Sequence, residues 1–128
     1  MITTLAVAFK NKIDSVFSNR VYMIEAPMDV VLPYASITEL PGNTDRDSVD
    51  KFLDVFYQVN GYDTTLSALN TIEELVIAAL DYQQATFSLA DYYVIEVELV
   101  QFRTTKLDIR PDGEYQFSHT YKIHLQKK

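Results

Sequence analysis

Residues 51–60, Lys-Phe-Leu-Asp-Val-Phe-Tyr-Gln-Val-Asn, constrain this chain more than any other stretch. They alternate too regularly for a helix and are flanked by turn-forming residues, so a long strand is expected over 49–59. One face of that strand carries Leu53, Val55, Tyr57 and Val59, and the other Phe52, Asp54, Phe56 and Gln58. Neither face is purely polar. A sheet with one clean wet face would alternate more sharply. Phe52 and Phe56 therefore call for a cover from a helix, a loop or another subunit. Asn60, Gly61, Tyr62 and Asp63 then read as a break.

The neighbouring segments supply partners. Residues 34–40 form a second strand candidate, and residues 20–24 a short extended piece between Ser18-Asn19 and Pro27. Residues 92–103 and 115–125 are two further strands. Ile95, Val97 and Leu99 share one face in the first, with Glu96 and Glu98 on the other. Tyr115, Phe117, Tyr121, Ile123 and Leu125 alternate with Gln116, Ser118, Thr120, Lys122 and His124 in the second. The two are expected to pair as an antiparallel hairpin. Its connection, 104–114, reads as long and mobile, with a turn at Arg110, Pro111, Asp112 and Gly113.

Two helices complete the pattern. Leu5, Phe9, Ile13 and Val16 recur at helical spacing, predicting a threonine-capped helix from Thr3 or Thr4 to Phe17. Leu66, Leu69, Ile72, Val76 and Leu80 form a second stripe, widened by Leu75 and Ala79, with Glu73 and Glu74 on its wet side. Residues 81–91 read as a connector with room for one short strand. The expected fold is α+β: a mostly antiparallel sheet of at least four strands with two helices packed on it, in one domain spanning 1–128.

Composition excludes more than it selects. The 128 residues suffice for a core without staples, and the absence of cysteine removes disulfide and thiolate chemistry. No apolar run approaches the roughly 18 residues of a membrane helix. Residues 1–9 lack the basic start of a signal peptide, so a soluble intracellular protein with no membrane partner is expected. Eighteen acidic against eleven basic residues give a net charge of −7, and the cations are scattered. Adhesion to nucleic acid needs clustered Lys and Arg, so it is disfavoured. A wall past which DNA slides would be acidic or neutral for that same reason. Nine Tyr and seven Phe without any Trp suit strands and protein interfaces.

Reactive constellations are missing from the sequence. His119 and His124, five apart on one strand, point to opposite faces and cannot share a metal there; His119 reads as a packed, hydrogen-bonded residue. Asp45, Asp47, Asp50 and Asp54 lack the glycine turn and closing glutamate of a calcium loop. Glu96 and Glu98 fit a wet sheet face more simply than acid–base work. Three glycines build neither a phosphate loop nor a dinucleotide fingerprint. No catalysis, cofactor or metal is expected.

The order of short cues is more informative. A leading helix runs into Asn19, Arg20, Val21 and Tyr22, followed by Ala26-Pro27 and by Leu32, Pro33 and Tyr34 with its strand. A polar loop, the aromatic-rich strand 52–59 and the helix from Leu66 come next. This order resembles the tail-completion or tail-terminator family of long-tailed bacteriophages and prophages. The resemblance covers most of the chain and implies a structural virion protein. Such a protein forms a ring, typically a hexamer, at the head-proximal end of the tail. It ends polymerisation of the tail tube protein and joins the tail to the head connector protein. DNA passes through the ring without specific binding. The location implied is the virion tail, after assembly in the host cytoplasm.

On that reading, Phe52, Phe56, Arg46, Arg103, Lys106 and Arg110 are interface candidates. Asp45, Asp47, Asp50, Glu96 and Glu98 are candidates for the channel wall. The polar loops 41–50 and 104–114 are candidate contacts to the tube or connector. A neck connector of the same machine, or an unrelated small α+β interaction module, are the alternatives.

Overall fold

The computed structural model describes residues 3–23, 26, 30–40, 46–47, 52–107 and 114–128. Asp45, Asp50, Arg110 and most of the loop 41–50 lie outside the described residues, and Arg46 and Asp47 are described by their backbone alone.

The first helix, α1 (Thr3–Ile13), buries Leu5, Phe9 and Ile13 completely. Its last predicted turn tightens into a 3-10 segment, Asp14–Phe17, anchored by a 2.9 Å Lys10–Asp14 ion pair. Ser18 and Asn19 then adopt φ of 52° and 64°, a left-handed exit that ends the helix. Three strands follow: β1 (Val21–Met23), β2 (Tyr34–Glu39) and the two-residue β3 (Arg46–Asp47). The long β4 (Phe52–Asp63) leads into α2 (Leu66–Leu80), and β5 (Tyr92–Leu107) and β6 (Glu114–Lys127) close the chain.

The sheet has the order β1-β2-β4-β6-β5, with β3 attached to β4. All pairs are antiparallel except β1 with β2. Both helices lie on one face of this sheet. Phe9 of α1 meets Tyr57, Phe87 and Tyr121 at 5.3, 5.4 and 6.0 Å between ring centroids. Leu69, Ile72, Val76 and Leu80 of α2 complete the core. The Thr65 hydroxyl caps α2 by accepting from the Ala68 amide at 3.2 Å. This is the α+β arrangement expected from the sequence.

Five expectations need correction. The first is that β4 does not stop at Val59: Asn60, Gly61, Tyr62 and Asp63 continue it, paired with residues 115–118 of β6. Gly61 faces the core, where the Phe117 ring takes the volume a side chain would need; a Cβ there would lie 2.1 Å from that ring. The glycine admits an aromatic neighbour and does not break the strand.

The second correction concerns β5. Bulges between Val94 and Glu96 and between Leu99 and Gln101 each shift the alternation by one residue. Val97 is fully buried, whereas Ile95, expected beside it, is 43% exposed. In the third, the strands run to Leu107 and from Glu114, so the mobile connection expected over 104–114 shrinks: Thr104, Thr105 and Lys106 are paired strand residues. The short strand considered for 81–91 is replaced by a 3-10 turn at Gln84–Thr86. The last is that Leu66 and Leu75 of α2 are about half exposed, because the buried stripe is narrower than the apolar pattern.

Candidate functional site: the polar face of the sheet

Both helices lie on one side, and among the described residues no helix lies on the other side of the sheet. Register assigns its side chains in rows across β4, β6 and β5. Asp54, His124 and Glu96 form one row; Phe56, Lys122 and Glu98 the next; then Gln58, Thr120 and Gln101; then Asn60, Ser118 and Arg103. This face is more polar than the sequence of β4 alone suggests, because β6 and β5 contribute only polar or charged side chains to these rows, with Ser118 and Thr120 themselves buried.

The two apolar residues on it are handled differently. The Phe52 ring stacks on the His124 imidazole at 5.2 Å and 11°, so its cover comes from within the chain. Phe56 lies half-buried between Asp54 and Gln58. The demand for an outside cover read from these two residues is therefore smaller than the sequence implied.

The lower rows are charged. One Asp54 oxygen lies 2.5 Å from His124 Nδ1, and the other lies 3.8 Å from Lys122 Nζ. Together with Glu96 and Glu98 these side chains line a pocket of about 260 Å³. Among the described residues no group of three potential ligands is arranged to hold a metal ion. The upper rows are neutral apart from one cation. Gln58, Gln101, Ser118 and Thr120 line a second groove, of about 350 Å³, with Phe102 and Arg103 at its rim. Above it Gln116 donates to Asn60 at 3.3 Å and to the Tyr62 hydroxyl at 3.1 Å. Tyr62 stacks on Tyr34 at 4.5 Å, and burial, with the Glu114 charge, raises its hydroxyl pKa. Among the described residues the face is a polar ladder with a charged end.

Of the site candidates, Glu96 and Glu98 share this face with Phe52 and Phe56, so residues expected at two different surfaces stand on one. Arg103 and Lys106 lie on the outer strand β5, exposed to solvent. His119 faces the core, opposite to His124, as its position in the strand predicts. It is fully buried against Phe117, and Nδ1 lies 3.3 Å from the Tyr121 hydroxyl. Its Nε2 lies 3.4 Å from Glu73 Oε2. Glu73, expected on the wet side of α2, thus turns to the sheet. Burial lowers the His119 pKa, and the Glu73 carboxylate partly opposes that. Sequence reasoning missed this pair, since no periodicity marks a glutamate that bends under its own helix.

The comparisons with known proteins speak to the fold. No family model matches the chain, and no curated protein matches its sequence. The backbone superposes on a chain from the virion of a native gene transfer agent (GTA) particle with a TM-score of 0.67. That match has 10% identity and covers 89% of this chain and 84% of the other. A second solved structure gives 0.53 at 14% identity over 100% of this chain and 96% of its own. The class defined here is therefore a small α+β domain sharing its fold with a subunit of a gene transfer agent particle.

Proposed function

We propose that this chain is a structural protein of a phage-type tail machine. In that machine it acts as the ring-forming terminator at the head-proximal end of the tail. The observation that carries the reading is the fold shared with a chain of the gene transfer agent virion over nearly the whole length of both. The order of sequence cues agrees with it. So does the segregation of the domain into a helix-covered face and a bare polar one.

In this reading six copies close head to tail, tail tube protein lies below and the head connector above. The bare sheet face turns to the channel. Asp54, Glu96 and Glu98 there repel phosphate, while Gln58, Gln101 and Thr120 offer neutral contacts, so DNA slides without adhering. Asp45, Asp47 and Asp50 are the other acidic set available to the channel wall. Arg46, Arg103, Lys106 and Arg110 contact neighbouring subunits or rings. Each exposed ion pair they make is worth only about 0.2–1 kcal/mol, so adhesion depends on repetition around the ring. The work is steric, and no bond chemistry is assigned to any residue.

The test is imaging of tails assembled with and without the chain. Loss of length control together with loss of head joining is the expected result. Tails of normal length that fail only to join heads point instead to a neck connector. Normal tails that join heads without the chain refute both roles.

A further inference from the structure

We propose that residues 100–106 of β5 add onto the sheet edge of a second copy of this chain, burying Phe102 in the contact. The proposal rests on the ring reading and deepens it by assigning the surface through which one copy meets the next.

β5 is an outer strand of the sheet, yet its two halves are treated differently. The first half is closed by the chain itself. The Tyr82 amide donates to the Val97 carbonyl at 2.8 Å, and the Leu99 amide donates to Asp81 Oδ1 at 2.9 Å. Val97 and Leu99 thus direct their backbone groups away from β6, toward the connector that follows α2. In an antiparallel pair that role falls on alternate residues. The bulge before Gln101 shifts it by one, to Phe102, Thr104 and Lys106. For these three, no such capping bond exists among the described residues. The self-made cover ends at Leu99.

What lies beyond it is bare. Every residue from Val100 to Lys106 is exposed, with Val100 at 45% and Phe102 at 69%. By register Phe102 stands opposite buried His119, and among the described residues no helix reaches over it. Lys106 and the bulge are devices that keep an edge from pairing indiscriminately. A bare phenylalanine between them is not; an edge guarded only against aggregation has no use for it.

Two observations favour a second copy as the occupant. The other outer strand of the same sheet is β1, so one chain carries both halves of a head-to-tail contact, the kind that generates rings. Arg103 and Lys106 are exposed cations without an ion-pair partner among the described residues, on a chain of net charge −7. A neighbouring copy is a negatively charged body to them.

Thr104→Pro removes one outward amide and leaves the β5–β6 ladder intact, because that amide does not face β6. Phe102→Ser removes the exposed ring. Both variants are expected to keep the circular dichroism and melting temperature of the monomer. Both are expected to self-associate at least tenfold more weakly in sedimentation velocity and native mass spectrometry. A six-copy ring that forms at the wild-type concentration in both variants overturns the proposal and leaves the ring standing. Wild-type association into dimers or open fibres that both substitutions weaken keeps the proposal and overturns the ring. A wild-type chain that stays monomeric at its highest soluble concentration overturns the proposal.

Discussion

Replacing Gly61 by alanine tests the packing of the sheet's centre most sharply. A Cβ on Gly61 would stand 2.1, 2.3 and 2.9 Å from three atoms of the Phe117 ring. Carbon atoms rest at about 3.5–4.0 Å, so the ring must retreat by about 1.5 Å. It has nowhere open to go. Phe117 is 0% exposed, and its ring lies 6.3 Å from Phe17 and 4.6 Å from His119. Overpacking of this kind costs about 1–3 kcal/mol, and the clash puts Gly61→Ala at the upper end. Alanine's better behaviour in a strand returns about 0.5–1 kcal/mol. The net expectation is a loss of about 2 kcal/mol, measured by urea denaturation with an unchanged m-value.

A double-mutant cycle assigns the cause. Phe117→Leu should cost less in the Gly61→Ala variant than in the wild-type chain, with a coupling of about 1 kcal/mol, within the range for residues in contact. Two results refute the reasoning: a Gly61→Ala loss within about 0.5 kcal/mol of zero, the size of a neutral surface change, or a Phe117→Leu cost that is the same in both backgrounds.

Three further outcomes are expected. Burial depresses the His119 pKa below its ordinary 6.5, so unfolding takes up a proton below that pH. Its contribution to stability is complete above about pH 6.5 and falls by up to about 1.4 kcal/mol per pH unit below it, until the folded-state pKa is reached. Denaturation across pH 4.5–7.5 should show this slope in wild type and lose it in His119→Gln; Glu73→Gln, which removes the opposing carboxylate, should extend it to lower pH. Thr65→Ala deletes the 3.2 Å cap bond of α2 and should cost about 1 kcal/mol by thermal or urea melting, with Thr65→Ser near wild type. Finally, double-stranded DNA at physiological salt should not retain the chain in a filter or gel assay, and retention would count against a repelling channel wall.

How much was legible beforehand follows from what each feature depends on. Two helices and the antiparallel core were readable because amphipathic period is a local property: Leu5, Phe9 and Ile13, or Leu69, Ile72 and Val76, mark their face wherever the helix goes. The polar character of Gln58, Thr120 and Glu98 was readable one strand at a time. That they share one face was not, because the shared face depends on register, which two bulges in β5 reset. Phe52 and Phe56 asked for a cover in the sequence; only the fold shows His124 supplying one of them from a distant strand.

Local chain chemistry was enough for the kind of the main elements and for the net charge of −7. These depend on composition and on neighbours within a few residues. It took the folded chain to make Gly61 a strand residue beneath an aromatic ring and to turn Glu73 inward to His119. The folded chain likewise ends the cover of β5 at Leu99 and leaves Phe102 bare. Each of these depends on the volume or hydrogen-bonding group that a distant segment brings to the spot, and no local pattern encodes that encounter.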